Sequence, residues 1–219
     1  MLFLYSIMIA IIDYEAGNLA SVERVVKKFG FDCKITQDSK EVLRADRVIF
    51  PGVGAAGKAM AELKRLGLDD ALKEAFYIGK PILGICLGTQ IILEESEEDN
   101  TKCLGLIKGV VKLFPSPLIA QDSQRLKVPH MGWNGVIFIK KHPIIEGVNP
   151  NSEFYFVHSY YPVPASEEYI LGKTEYGIEF VSAIAYKNLV AFQFHLEKSG
   201  EPGLKIFRNF CQWSYRNAK

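Results

Sequence analysis

Residues 80–90 read Lys-Pro-Ile-Leu-Gly-Ile-Cys-Leu-Gly-Thr-Gln, which sets a cysteine, Cys86, between Gly84 and Gly88. The apolar run over 81–85 reads as a short buried strand. Residues 87–95 have helical composition, with Leu87, Ile91 and Ile92 spaced for one buried face. Strand, nucleophile and helix with small flanking residues is the order of a nucleophile elbow, where glycines let the chain turn sharply and expose the reactive atom. Helix N-terminal amides favour an anion, and the thiolate is the form of cysteine that attacks. The same residues also fit a blander structure, a small buried cysteine in a tight strand-to-helix turn.

Phe-Gln-Phe-His-Leu-Glu at 192–197 alternates apolar and polar residues. In an extended chain i and i+2 share a face, which groups Gln193, His195 and Glu197. A carboxylate two residues from an imidazole can accept one ring N–H and fix the tautomer. The other nitrogen is then free to take a proton from a thiol. Taken alone, the pattern is better accounted for by a half-buried edge strand with ordinary polar residues. Nucleophile, base and orienter come together only if Cys86 and His195 meet in the fold.

Val-Ile-Phe-Pro-Gly-Val-Gly-Ala-Ala-Gly at 48–57 contains Gly-x-Gly-x-x-Gly between a strand and a helix. A dinucleotide site wants that loop after the first strand and an acidic residue at the end of the next. Here the loop follows a later strand, and Cys86 stands where the acid would be. Backbone N–H groups of such a loop, with the amide after the nucleophile, can hold the oxyanion of an acyl intermediate. The sequence favours that use. Val-Pro-His-Met-Gly-Trp-Asn at 128–134 and Tyr-Phe-Val-His-Ser-Tyr-Tyr at 155–161 fit a loop and a core strand. His130, Met131 and Trp133 around Gly132 would make a costly surface unless something packs there.

The elements that must position these residues alternate through the first half. Strands are expected at 9–12, 33–35 and 48–50, and helices at 19–29, 59–66 and 70–77. That alternation predicts an α/β fold, a doubly wound and mostly parallel sheet covered on both faces, with Cys86 at the carboxyl end of a strand where such sheets place ligands. The acidic run 94–100 reads as a solvated loop without function. From residue 106 the pattern turns β-rich, with strands at 106–113, 135–139, 153–160, 169–174, 180–186 and 190–194. Tyr176-Gly177 and Lys187-Asn188 read as hairpin connections. A closing helix over 203–215 turns Leu204, Phe207, Phe210, Cys211 and Trp213 inward.

The chain has 219 residues, 48% hydrophobic and 23% charged, with a formal net charge of +1. That fits one soluble domain over 1–219, and the absence of excess basic charge argues against a nucleic-acid binder. Cys33, Cys86, Cys103 and Cys211 are scattered, with no metal-ligand spacing, which suits a reducing cytoplasm better than a disulfide framework. Residues 1–12 are apolar but lack a basic start and a small-residue cleavage site, and they are too short to span a membrane. They read as the first strand with either an extension or an upstream start, Met8 then being the initiator.

Pro-Gly-Val-Gly at 51–54, Gly-Ile-Cys-Leu-Gly at 84–88 and Phe-His-x-Glu-Lys-Ser at 194–199 resemble the class I glutamine amidotransferases. Asp-Tyr-x-x-Gly-Asn at 13–18, Pro-His-Met-Gly-Trp-Asn at 129–134 and Tyr-Phe-Val-His-Ser-Tyr at 155–160 narrow the resemblance to the glutaminase subunits of imidazole glycerol phosphate synthases, over nearly the whole chain. The resemblance implies a flavodoxin-like core and no cofactor or metal. It implies that Cys86 attacks the amide of glutamine, with His195 as base and acid and Glu197 as its orienter. Gly52, Val53, Gly54 and Leu87 would supply oxyanion and loop contacts, and Gln90, His158, Ser159 and Tyr160 would hold glutamine. Ammonia would pass to a (β/α)8-barrel synthase subunit in a heterodimer, with Asn18, Met131, Trp133, Tyr155 and Lys198 at or near the interface. Leu196 stands where this family usually has proline, and Thr89 where methionine is usual, a change that reads as minor. Two other readings stay open: a glutaminase feeding a different synthase, such as a sugar-amidating one, and a scaffold that only docks a partner.

Overall fold

The computed structural model describes residues 7–120 and 122–215, so the extension considered for residues 1–6 lies outside the described residues. Strand and helix alternate as β1 (Met8–Ile12), α1 (Leu19–Lys28), β2 (Asp32–Thr36), α2 (Ser39–Arg44), β3 (Arg47–Gly52), α3 (Ala56–Arg65), α4 (Leu68–Tyr77), β4 (Ile82–Cys86) and α5 (Leu87–Ile91). Burial on both faces explains the continuous apolar strands: Ile9 and Ile11 pack toward α1, whereas Ala10 and Ile12 pack toward α3 and α4. α1 buries Val22 and Val26, and the Asn18 side chain caps it by accepting from Ser21 N. α2 escaped the sequence reading because it is one and a half turns long and buries only Val42. Asp38 caps it through Lys40 N at 2.8 Å.

The second half continues with β5 (Glu95–Ser96), β6 (Thr101–Lys102), β7 (Gly109–Leu113), β8 (Leu118–Ile119), β9 (Arg125–Leu126), β10 (His130–Gly135) and β11 (Ile137–Phe138). β12 (Glu153–His158), β13 (Tyr160–Pro164), β14 (Ile170–Glu175), β15 (Glu179–Tyr186), β16 (Leu189–Phe192) and α6 (Gly200–Gln212) complete it. One eight-stranded sheet runs β2-β1-β3-β4-β16-β15-β14-β11. The five strands from β2 to β16 are parallel, and the rest extend the sheet antiparallel. α1 and α6 cover one face and α3, α4 and α5 the other, which is the expected doubly wound layer with a β-rich extension. β13, β7, β5 and β6 form a smaller sheet, and β10 pairs with β12 alone. Among the described residues no helix is long and apolar enough to cross a membrane.

Several expected spans are corrected. The helix over 87–95 stops at Ile91, because the carbonyls of Ile91, Ile92 and Leu93 accept from Leu104, Leu106 and Gly105 at 2.7–2.9 Å and the chain leaves to join β7. The strand over 106–113 starts at Gly109 for the same reason. The span 135–139 divides between β10 and β11, and 153–160 divides at Ser159, where the chain passes from β10's partner to β7's. β16 ends at Phe192, and residues Leu196–Lys198 form a single 3-10 turn, so 192–197 is not one extended strand. The last helix begins at Gly200 and ends at Gln212, turning Ile206 inward as well as Phe207, Phe210 and Cys211.

β3 and β4 are in register with Gly52 beside Cys86. The join is tight: a Cβ on Gly88 would lie 2.0 Å from the carbonyl oxygen of Phe50. Gly88→Ala should therefore destabilise the fold by about 1–3 kcal/mol through overpacking, read as a lower urea midpoint. An unchanged midpoint would show that the elbow has room to spare.

Candidate active site

Cys86 closes β4 with φ 55° and ψ −107°. A non-glycine residue there carries strain of about 1–3 kcal/mol, and the sharp turn it permits is that of a nucleophile elbow. The side chain is 5% exposed, with Sγ 4.0 Å from Val157 O and 3.9 Å from Gln193 Nε2. Thr89, one turn along, donates to Phe192 O at 2.6 Å and so ties the elbow to the end of β16. Its hydroxyl gives this position a structural use that the sequence reading had passed over as minor.

His195 follows β16, the strand next to β4, so the parallel layer brings it to the same edge as Cys86. Its Nδ1 donates to Glu197 Oε1 at 2.8 Å, and both side chains are nearly solvent-free. The 3-10 turn brings the carboxylate back under the ring, achieving by a turn the grouping that the sequence reading ascribed to an extended strand. The backbone is pinned as well: His195 N donates to Tyr155 O at 2.9 Å, and Ser199 Oγ donates to His195 O at 2.5 Å. Leu196, fully buried, forms the turn without the proline usual there. Burial alone would lower the imidazole, but Cys86 and Glu197 outweigh it and raise His195 to about 9. Its Nε2 is buried and makes no hydrogen bond, leaving it available for a proton.

A cleft of about 330 Å³ opens over Cys86. Val53, Gly54, Leu87, Gln90, His158, Ser159 and Tyr160 line it, and Gly52 lies directly behind as the strand neighbour of Cys86. Gly54 sits at φ +103°, where glycine is needed, while Gly52 owes its missing side chain to crowding by Tyr14 and Leu87. A larger cleft of about 770 Å³ lies at the β11 edge and contains none of these residues. Glu98 also lines the smaller cleft, which corrects the reading of the acidic run as a solvated loop. Three of its carboxylates hold backbone: Glu94, Glu97 and Glu98 accept from Gly109 N, Leu113 N and Ala56 N at 2.7–2.9 Å. No single-sequence signal separates such carboxylates from a solvated run, because their acceptor role depends on β7 and α3.

Behind the cleft runs a buried polar chain. Gln90 Nε2 donates to Gln193 Oε1 at 3.1 Å and to Tyr160 O at 2.8 Å. His158 Nδ1 donates to that same carbonyl at 2.9 Å, and its Nε2 accepts from His130 Nδ1 at 3.2 Å. His130 is sandwiched by Phe156 and Tyr176, with centroids at 4.7 and 3.9 Å. Burial pushes His130 and His158 far below the ordinary imidazole value, so both are neutral at pH 7. Gln193, grouped with His195 and Glu197 in the sequence, and Ser199 take positions at the site without having been named in it. His130, read there as surface with Met131 and Trp133, is instead buried at 2% exposure, because β10 turns alternate residues inward against β12.

Met131, Trp133, Tyr155 and Lys198 share one surface. Met131 is 63% and Trp133 54% exposed, Trp133 meets Tyr155 edge-on at 5.9 Å, and Lys198 Nζ lies 5.7 Å over the Tyr155 ring. Asn18 is exposed at the N-terminus of α1. Among the described residues no group of three His, Cys, Asp or Glu is placed to hold a metal ion.

The family model described as "Glutamine amidotransferase class-I" matches residues 10–213. The imidazole glycerol phosphate synthase subunit HisH of Nitratidesulfovibrio vulgaris Miyazaki F is 48% identical over 203 residues, 93% of this chain and 95% of the relative. The HisH subunit of Dehalococcoides mccartyi (strain 195) is 45% identical over 213 residues, 97% of this chain and all of the relative. Among solved structures, one titled a glutamine amidotransferase matches with TM-score 0.71 at 15% identity over 93% of this chain and 99% of its own. PurLQS from Thermotoga maritima matches with TM-score 0.70 at 16% identity over 94% and 98%. At these identities the structures speak for the fold alone.

The raised His195 has a measurable sign. A group whose folded pKa exceeds its ordinary 6.5 gives stability that is full below that value and is lost as pH rises through about 9. The stability of the native chain relative to His195→Gln should therefore decline between pH 6.5 and 9, followed by urea denaturation at fixed salt. A difference that stays flat across that window would contradict the raised proton affinity of His195.

Proposed function

The chain belongs to the class I glutamine amidotransferases, and from that membership we propose that it is the glutaminase subunit of an imidazole glycerol phosphate synthase in histidine biosynthesis. The observation that carries the chemistry is the buried His195–Glu197 pair at the edge of the sheet where the Cys86 elbow opens. Cys86 attacks the side-chain carbonyl carbon of glutamine, and His195 takes the thiol proton. Backbone amides of the Val53–Gly54 loop and of Leu87 receive the oxyanion. His195 returns the proton to the leaving nitrogen, ammonia departs, and a glutamyl thioester remains. His195 then deprotonates water, which attacks the thioester and frees glutamate. Gln90, His158, Ser159 and Tyr160 hold the glutamine, and the Glu98 carboxylate suits its ammonium group. No cofactor enters these steps.

Ammonia passes to a (β/α)8-barrel partner that makes imidazole glycerol phosphate and an aminoimidazole carboxamide ribonucleotide. The exposed aromatic face of Met131, Trp133 and Tyr155, with Asn18 and Lys198, is the docking surface of that heterodimer in the cytoplasm. A Trp that stays exposed in a free chain, with a half-buried Tyr against it, suits an interface anchor. The same face is bonded to the site, since Tyr155 O holds His195 N. The name shared by the relatives supports this pathway over a sugar-amidating one.

Cys86→Ala should lose roughly 10³-fold or more of glutamine hydrolysis, while the partner's synthase reaction with added ammonia survives. His195→Asn should cost more than Glu197→Gln, because the base moves the proton and the carboxylate orients it. Glutaminase activity left intact in Cys86→Ala would remove the elbow as the site.

Turnover by the chain alone should be low, because free hydrolysis would waste glutamine. Gly54, at φ +103°, lets the Val53–Gly54 peptide turn toward or away from the cleft. One oxyanion donor is worth about 10²–10³ in rate, so partner plus nucleotide substrate should raise glutamate release by at least that factor. Full activity in the isolated chain would overturn the gating. Stimulation only by a sugar-amidating partner would leave the mechanism and remove the pathway.

A further inference from the structure

Three buried side-chain polar atoms lack a hydrogen-bond partner among the described residues: His195 Nε2, Glu197 Oε2 and Tyr14 Oη. The first two belong to the nucleophile's partners. Tyr14 has no role in the chemistry above, yet it lies in the Asp-Tyr-x-x-Gly-Asn segment just after β1 and is 1% exposed. Its ring packs on Phe50 at 5.3 Å. Its hydroxyl is aimed at the backbone of Gly52, where a Cβ would stand 1.8 Å from the oxygen. Burial pushes the phenol far up, and Cys86 nearby pushes it further, so it remains a protonated donor. A phenylalanine would fill the same space without the desolvation cost of burying an unpaired hydroxyl. The hydroxyl therefore needs a partner in another arrangement of the loop.

We propose that Tyr14 is a positioning residue for the oxyanion loop, donating a hydrogen bond to the carbonyl of Gly52 when the Gly52–Val53 peptide turns. A trans peptide carries its N–H and C=O on opposite sides. Tyr14 does not line the cleft that Val53 and Gly54 line, so it stands on the loop's buried side. Turning the Gly52 carbonyl toward Tyr14 turns the Val53 N–H toward the cleft, where an oxyanion forms. With no side chain to strike Tyr14 or Leu87, Gly52 presents the least steric barrier to that rotation. The pivot is one peptide earlier than the Val53–Gly54 bond considered above. In the structure this bond is unmade, since the Tyr14 hydroxyl has no partner among the described residues. The inference rests on the glutaminase reading and adds what holds the loop in its active form.

The test compares the native chain, Tyr14→Phe and Cys86→Ala, each alone and with the barrel subunit and its nucleotide. It reads kcat and KM for glutamate release in the most active state, together with the thermal midpoint. Tyr14→Phe should lower kcat at least about tenfold, as part of the 10²–10³ carried by one donor. KM should stay within threefold and the thermal midpoint should be unchanged or higher. Unchanged kcat with an inactive Cys86→Ala would overturn the role of Tyr14 and leave the glutaminase reading standing. A raised KM at constant kcat, or a loss of activity that tracks a lower midpoint, would also overturn it by making Tyr14 a packing residue. An active Cys86→Ala would remove the reading itself and this inference with it.

Discussion

The carbonyl oxygen of Phe50 occupies the place that a side chain on Gly88 would need, so β3 and the first turn of α5 touch backbone to backbone. Gly52 is held just as closely, between Tyr14 and Leu87. These contacts set a glycine loop beside the cysteine with no side chain to separate them. The parallel register does the rest, since β16 on the other flank of β4 delivers His195 to the same edge. Cys86, His195 and the Gly52–Gly54 loop thus converge from three adjacent strand ends, and none is placed by a flexible loop alone.

Around this contact the polar groups are arranged by burial. A proton taken up by His195 is stabilised by its carboxylate partner, whereas His130 and His158 are kept neutral by theirs being amides, carbonyls and each other. In a medium of low dielectric each of these choices is enforced, because an unmatched proton there is expensive. Val157 O, Tyr160 O and Gln193 fix the walls of the cleft through main-chain and amide contacts that do not change charge.

Much of this was readable in the sequence, for identifiable reasons. Strands buried on two faces must be apolar throughout, and glycines around Cys86 mark a place where backbones approach. The spacing of His195 and Glu197 announced their pairing, although the chain reaches it through a 3-10 turn. What was not legible depends on distant backbone. The apolar rhythm of 87–95 continues past Ile91, but hydrogen bonds from residues 104–107 claim the carbonyls that a longer helix would have used. Glu98 reads as one charge in an acidic run until β5 and β7 set it over the cleft. Ser159 divides one apparent strand between two sheets, and no local pattern shows that.

The pairing of His130 with His158 leaves neither ring a choice of tautomer. His158 Nδ1 must carry a proton for the Tyr160 carbonyl, so its Nε2 is a lone pair, which obliges His130 to carry its own proton on Nδ1. Asn134 then meets His130 Nε2 at 3.5 Å while donating to Glu175 O at 2.8 Å. The chain of donors has a direction, from the outer strand inward to the carbonyl that Gln90 also uses. Reversing any one ring would set two lone pairs or two protons face to face. The strand that displays Met131 and Trp133 is thereby keyed to the cleft over Cys86 like the wards of a lock, in one orientation only.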